Sequence, residues 1–238
     1  MSWFELFGFG ARGWGGLLLV GLAVTIAVTA TALVIGAVLG SLAAWAKLSA
    51  SWPARIAGDL YTTVFRGVPE LLVIFLFYFG GSSVTTAVGR LFGHDGFVGV
   101  PNFLAGALAV GVISGAYQTE VFRAAFGAIA RGEIEAARAV GMPRLLRFRR
   151  IIVPQVLRFA IPGLGNVWQL SLKDSALISI TGLAELMRTA QMGAGSTRQY
   201  FGFYIAAGVL YLLLTAVSNR AVDTAETRVG RSFRRRLA

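Results

Sequence analysis

Four stretches of this chain carry no charged side chain: Gly13–Ala46, Leu71–Gly89, Gly96–Thr119 and Tyr200–Asn219. About 20 apolar residues in an α-helix cross the roughly 30 Å hydrocarbon layer of a bilayer, and each stretch is long enough. A further stretch, about Gln155 to Thr181, is apolar but interrupted by Lys173 and Asp174. The pattern predicts five spans, at about 15–45, 54–80, 97–120, 155–180 and 200–220, within one transmembrane domain covering residues 1–238. The first run is too long for a signal-peptide core and lacks a short basic region before it, so it reads as a retained span.

Composition agrees with a membrane protein. Only 14% of residues are charged and 56% are hydrophobic, whereas ordinary soluble domains are about one quarter charged. There is no cysteine, hence no disulfide framework or thiolate site. The single histidine, His94, is too few for a histidine-based metal site, and with Asp95 it reads as a solvated outer turn. The net charge of +11 could suggest a nucleic-acid partner on a soluble chain. Here the basic residues flank the apolar runs, so they bear on orientation and not on nucleic acid.

With the N-terminus outside, the inner segments hold fifteen Lys and Arg residues and the outer segments four, Arg12, Arg90, Arg188 and Arg198. That asymmetry predicts an outer N-terminus and an inner, cytoplasmic C-terminus. The basic tail at residues 228–238 is expected beside anionic lipid headgroups, or as a plain stop-transfer anchor. Gly36 and Gly40, and likewise Gly111 and Gly115, have the small-xxx-small spacing that lets membrane helices approach closely.

The loop at 121–154 then lies in the cytoplasm and holds a short charged helix. Glu133 and Glu135 suit its positive end. Gly141 just past its end and Pro143 two residues further on are stop signals, giving a helix over 133–140. Glu133, Ala136, Ala137 and Val140 share one face. So short a helix needs its own membrane domain or a partner to hold it.

The residues of this loop carry a resemblance. Glu135, Ala136 and Ala137, three residues, Gly141, nine residues, Ile151, one residue, then Val153 and Pro154 resemble the EAA loop of bacterial ABC importer permeases, with Val153 in the place of a leucine. The stretches YTTVFRGVPELL at 61–72, GAYQTEVFRAAF at 115–126 and PGLGNVWQLSLKDSALIS at 162–179 resemble the polar amino-acid permeases. Within that family they are most similar to the Q-type permease of histidine and lysine/arginine/ornithine importers, and similar to octopine and nopaline permeases. The resemblance implies an all-α membrane protein of type I importer form, with five transmembrane helices and a cytoplasmic coupling helix. Glu133, Glu135, Ala136, Ala137 and Gly141 would couple it to an ATPase. It implies two copies of a cytoplasmic ATP-binding subunit, a periplasmic substrate-binding protein, and a homologous M-type permease or a second copy of this chain, all at a bacterial inner membrane. ATP and Mg would belong to the ATPase, with no cofactor, metal or catalytic residue in this chain. Consistent with this, no GxxxxGK[ST] loop occurs, since neither Lys47 nor Lys173 follows a glycine.

Polar groups inside spans are the remaining candidates. Asn166, Gln169 and Lys173 form one stripe, expected at a subunit interface or a watery path, on a helix expected to be irregular at Pro162, Gly163 and Gly165. Arg66 and Glu70 are four residues apart and could form an intrahelical pair beside Pro69; alternatively Glu70 faces the translocation path and balances a cationic substrate. Ser114, Tyr117 and Gln118 lie on one face, with Tyr117 a path candidate, and Glu120 could pair with Arg123 or Arg66. An intramembrane enzyme is disfavoured because GAGS at 193–196 has no histidine base within a span. A secondary transporter or channel is disfavoured by the lack of an inverted repeat. The leading reading is the transmembrane subunit of an importer for a polar, basic amino acid such as histidine, arginine, lysine or ornithine. The alternative cargo is an opine, or a neutral or acidic polar amino acid.

Overall fold

The computed structural model describes residues 3–10, 13–93 and 96–234. The expected turn at His94 and Asp95, Arg12, and the last residues of the basic tail lie outside them. All regular structure among the described residues is helical. After one turn at Trp3–Leu6 come α1 (Gly15–Leu48), α2 (Trp52–Gly67), α3 (Glu70–Leu91), α4 (Asn102–Gly127), α5 (Arg131–Ala139), α6 (Arg144–Thr181), α7 (Leu186–Thr197) and α8 (Tyr200–Arg234). α1, α3, α6 and residues Tyr200–Val229 of α8 are long and apolar enough to cross a membrane. Their apolar side chains point outward, as at Val34, Leu42, Leu76 and Leu212. That is the reverse of a soluble bundle and the normal state of a surface meeting lipid.

α4 is the enclosed centre. It has 26 residues, and Ala107, Ala109, Val110, Ile113 and Ala116 on it are buried. Its closest neighbour is α1, and the glycine spacing read in the sequence explains why. A Cβ on Gly36 would overlap Ser114 Oγ and come within 2.5 Å of Gln118 Nε2 and 3.0 Å of the Gly115 backbone nitrogen. A Cβ on Gly40 would meet Gly115 O at 2.9 Å, and one on Gly111 would meet Ile35 Cγ2 at 2.8 Å. The two backbones touch, and dispersion between close-packed atoms takes the place of the hydrophobic drive that lipid cannot supply. Ser114 and Gln118 belong to this seam: Gln118 Nε2 donates to Leu33 O at 3.2 Å and to Ser114 Oγ at 3.2 Å.

Two helix boundaries depart from the pattern. The single run expected over 54–80 is two helices, with Val68 (ψ 136°) and Pro69 (ψ 132°) extended between them. Proline lacks the amide that would continue α2 and pushes the preceding residue out of the α region. By contrast, α6 runs as regular α-helix through Pro162 from Val153 to Ser175. Its irregular turns lie at either side, a π-helical stretch at Phe148–Ile152 and a 3-10 stretch at Ala176–Thr181. The glycines near Pro162 serve packing instead: Cβ atoms on Gly163 and Gly165 would meet Val121 Cγ1 at 2.8 Å and Val222 Cγ1 at 2.7 Å.

Charge closes the bundle at the end where α1 meets α2. Lys47 Nζ lies 3.0 Å from Asp59 Oδ1 and 2.6 Å from Glu120 Oε1, and donates to Thr62 Oγ1 at 2.8 Å. Glu120 also takes Arg123 at 2.8 Å, one of the two partners the sequence suggested for it. Lys47 itself is almost enclosed, its side chain 11% exposed. Lys47→Met is expected to cost roughly 2 kcal/mol, below the 3–5 kcal/mol for an uncompensated buried charge, because Glu120 keeps Arg123 and Asp59 faces solvent. Denaturation of the detergent-solubilised protein measures this, and an unchanged midpoint would remove the hub from the account.

At the opposite end α7 is held by Glu185, which is fully buried. As N-cap it accepts from the amides of Arg188 at 2.7 Å and Met187 at 2.9 Å, and Tyr211 and Thr25 donate to it at 3.2 and 3.3 Å. Burial pushes the Glu185 carboxyl above the ordinary carboxylate range, against the pull of those four donors. The GAGS segment sits on α7 for a packing reason, since a Cβ on Gly193 would overlap the Phe203 ring.

Candidate functional site

The charged loop forms α5 at Arg131–Ala139, one to two residues earlier than the sequence suggests. Its stop is a Schellman turn: Met142 N donates to Ala137 O at 3.0 Å and Gly141 N to Arg138 O at 2.9 Å, with Gly141 at φ +72°. That left-handed conformation suits glycine and strains any side chain. Glu133, Glu135 and Ala136 are exposed, while Ala137 is buried against the chain itself. The face expected to carry Glu133, Ala136, Ala137 and Val140 is thus turned inward at Ala137. What α5 and the following turn show outward is Glu135 and Ala136, with Val140, Leu145 and Phe148 as bare apolar groups.

Glu133 is tied down from below. The side-chain amide of Gln155, itself buried, donates to Glu133 Oε2. Gln155 directly follows Pro154 of the loop pattern, a hint in the sequence, but a pairing across 22 residues needs the folded chain to reveal it.

The second group of polar residues gathers around the break between α2 and α3. Glu70 opens α3, where a carboxylate meets the free amides of a helix start. Asp174 of α6 lies near enough for the two carboxylates to act on each other, with Lys173 beside it. Arg66, on the other side of the break, makes no ion pair with Glu70 among the described residues; its guanidinium lies over the Tyr117 ring, 5.3 Å from the centroid. The intrahelical pair fails because the extended Val68 and Pro69 destroy the four-residue helical spacing. Tyr117 therefore parts from Ser114 and Gln118, which stay in the α1–α4 seam.

The stripe on α6 also divides. Gln169 donates to Asn219 Oδ1 on α8, a bond between helices of one chain. Asn166 and Lys173 are exposed. Sequence reasoning missed Lys47, Gln155 and Glu185. Lys47 and Glu185 stand outside or at the edge of the apolar runs, where position in the sequence names no partner for them.

Outward-facing apolar helices, a short charged helix at one end and polar residues gathered where two helices break are the features to set beside known proteins. The chain belongs to the family of binding-protein-dependent transport system inner membrane components, whose model matches residues 36–231. It is 56% identical over 235 residues to the octopine transport system permease protein OccQ of Rhizobium meliloti, covering 99% of each chain. It is 39% identical over 207 residues to the histidine/lysine/arginine/ornithine transport system permease protein HisQ of Escherichia coli K12, covering 87% of this chain and 90% of the other. Among solved structures, an amino acid ABC transporter crystallised with histidines has a chain that superposes with a TM-score of 0.76 at 32% identity, covering 90% of this chain and 95% of that one. The protein is thus the permease subunit of an ABC importer, in a family where the ATPase is a separate subunit and a binding protein delivers substrate.

Proposed function

We propose that this permease carries a cationic amino acid or an opine derived from one, inward across the inner membrane. The observation that supports this is that the carboxylates of Glu70 and Asp174 lie near enough to influence each other beside the α2–α3 break, with Arg66 over Tyr117 and Lys173 next to Asp174. A cationic side chain leaving water needs an anion to meet it, and the substrate's own carboxylate needs a cation. The substrates for which two relatives are named, octopine for one and histidine, lysine, arginine and ornithine for the other, fit this double demand. The higher identity to the octopine permease over nearly the whole chain favours a second reading in which the opine is the main cargo. Octopine, with one carboxylate more than arginine, gives both Arg66 and Lys173 a role.

In this reading α1, α3, α4, α6 and α8 are the five spans, the N-terminus is periplasmic and the C-terminus cytoplasmic. α5 docks on one of two ATPase subunits that hold ATP and Mg. Glu133, Glu135, Ala136, Ala137 and Gly141 shape that docking, and the path-facing candidates are Glu70, Arg66, Tyr117, Asn166 and Lys173, with Gln169 bracing α6 against α8. A homologous M-type permease, or a second copy of this chain, completes the pore. The test is uptake into proteoliposomes holding the complete complex and its binding protein. ATP-dependent uptake of octopine, arginine or histidine, with glutamate and glutamine excluded, is the expected result. Uptake led by a neutral or acidic amino acid would overturn the cationic assignment.

A further inference from the structure

α5 makes little contact with its own chain: of its nine residues only Ala137 is buried. A helix gripped by a soluble partner but loosely attached to its own span would swing without moving it. One polar bond supplies an attachment. Gln155 is enclosed, 6% exposed, yet its side-chain amide is directed outward onto the Glu133 carboxylate in the first turn of α5. Gln155 stands three residues past the end of the π-helical stretch Phe148–Ile152, where one turn of α6 is wound wider than the rest. Such a stretch resets the facing of every residue beyond it and commonly marks a functional position. From Gln155 the α-helix continues unbroken to Ser175, carrying Gln169, Lys173 and Asp174 at its far end.

We infer that Glu133 and Gln155 form a pin that transmits motion of the docking helix α5 into α6, making both of them positioning residues for transport. The inference rests on the proposed function, because the far end of α6 matters only if it faces the cargo. The geometry gives the pin two properties. It is a charge-assisted bond to a carboxylate, stronger and more directional than one between neutral groups. It is also the link between a solvent-facing helix and an enclosed side chain, so the load passes to the packed interior, not to a flexible surface residue.

The experiment uses the whole complex in proteoliposomes and measures substrate transported per ATP hydrolysed, with the amount of ATPase subunit retained as a second readout. Gln155→Ala, outside the docking surface, is expected to keep the ATPase subunit bound and hydrolysing, and to lower the transport-to-hydrolysis ratio by about 10-fold, the ratio that about 1.4 kcal/mol gives; Glu133→Ala should lower that ratio at least as far. The double variant should be no worse than Glu133→Ala alone, since both changes remove the same bond. The exchange Glu133→Gln with Gln155→Glu should recover most of the ratio. A wild-type ratio in the single variants, additive losses in the double variant, or no recovery in the exchange would each overturn the pin. Failure of the wild-type complex to move a cationic substrate at all would instead overturn the proposed function.

Discussion

Gly36→Leu should leave no folded permease. A Cβ at this position already overlaps Ser114 Oγ and comes 3.0 Å from the Gly115 backbone nitrogen, and backbone cannot rotate away as a flexible side chain can. Overpacking in a tight core costs about 1–3 kcal/mol when side chains give way, and here α1 would have to part from α4 along the seam. The cost is therefore expected at the top of that range or beyond it, since membrane helices gain nothing from hydrophobic burial against lipid to offset it. Gly208→Leu is the control, because a Cβ there has open space around it. Size-exclusion chromatography of the solubilised proteins separates the outcomes: Gly208→Leu elutes as wild type, while Gly36→Leu aggregates or is degraded. A monodisperse Gly36→Leu protein would show that the seam is not tight.

Glu70→Gln should abolish the preference for cationic over neutral substrates while leaving the chain folded. Glutamine keeps the shape and the hydrogen-bonding capacity at the start of α3 but removes the charge. With only Asp174 left to meet the substrate, the ratio of arginine-stimulated to glutamine-stimulated ATPase activity is expected to fall by about 100-fold, equivalent to roughly 2.7 kcal/mol. Asp174→Asn should act in the same direction, and the two together should not simply add, because the carboxylates already influence each other. Unchanged stimulation and unchanged preference in both variants would remove these residues from substrate recognition.

The parts of the fold that follow from local rules were legible in the sequence. Uncharged runs located the apolar helices, Gly141 marked the stop of α5, and the four-residue glycine spacing marked the α1–α4 seam. The break at Val68 and Pro69 was also written there, since proline restricts the residue before it, but the span expected over 54–80 ran α2 into α3 although the charge-free stretch itself begins at Leu71. That error produced the false Arg66–Glu70 pair, because a four-residue spacing means contact only inside an unbroken helix. Pro162 misled in the opposite direction, as neighbouring helices let α6 continue through it. What stayed hidden depends on tertiary contact. Thr25 and Tyr211 meet Glu185 from α1 and α8, and Gln155 meets Glu133 around a loop. Such partners lie too far along the chain for any periodicity to register them.

Lys47 has a consequence for how the protein is made. Its amine is enclosed by groups synthesised at different times: Asp59 and Thr62 follow within 15 residues, but Glu120 arrives 73 residues later. A nascent chain that has delivered only α1 and α2 has just an exposed carboxylate and a hydroxyl to offer this ammonium. Glu120 completes its shell, so the insertion of α4 is both the packing step that fills the centre and the step that neutralises the charge. A product cut short before residue 120 keeps that charge half-matched, and quality-control proteases that survey membrane helices for stranded charge would have a direct cue for removing it.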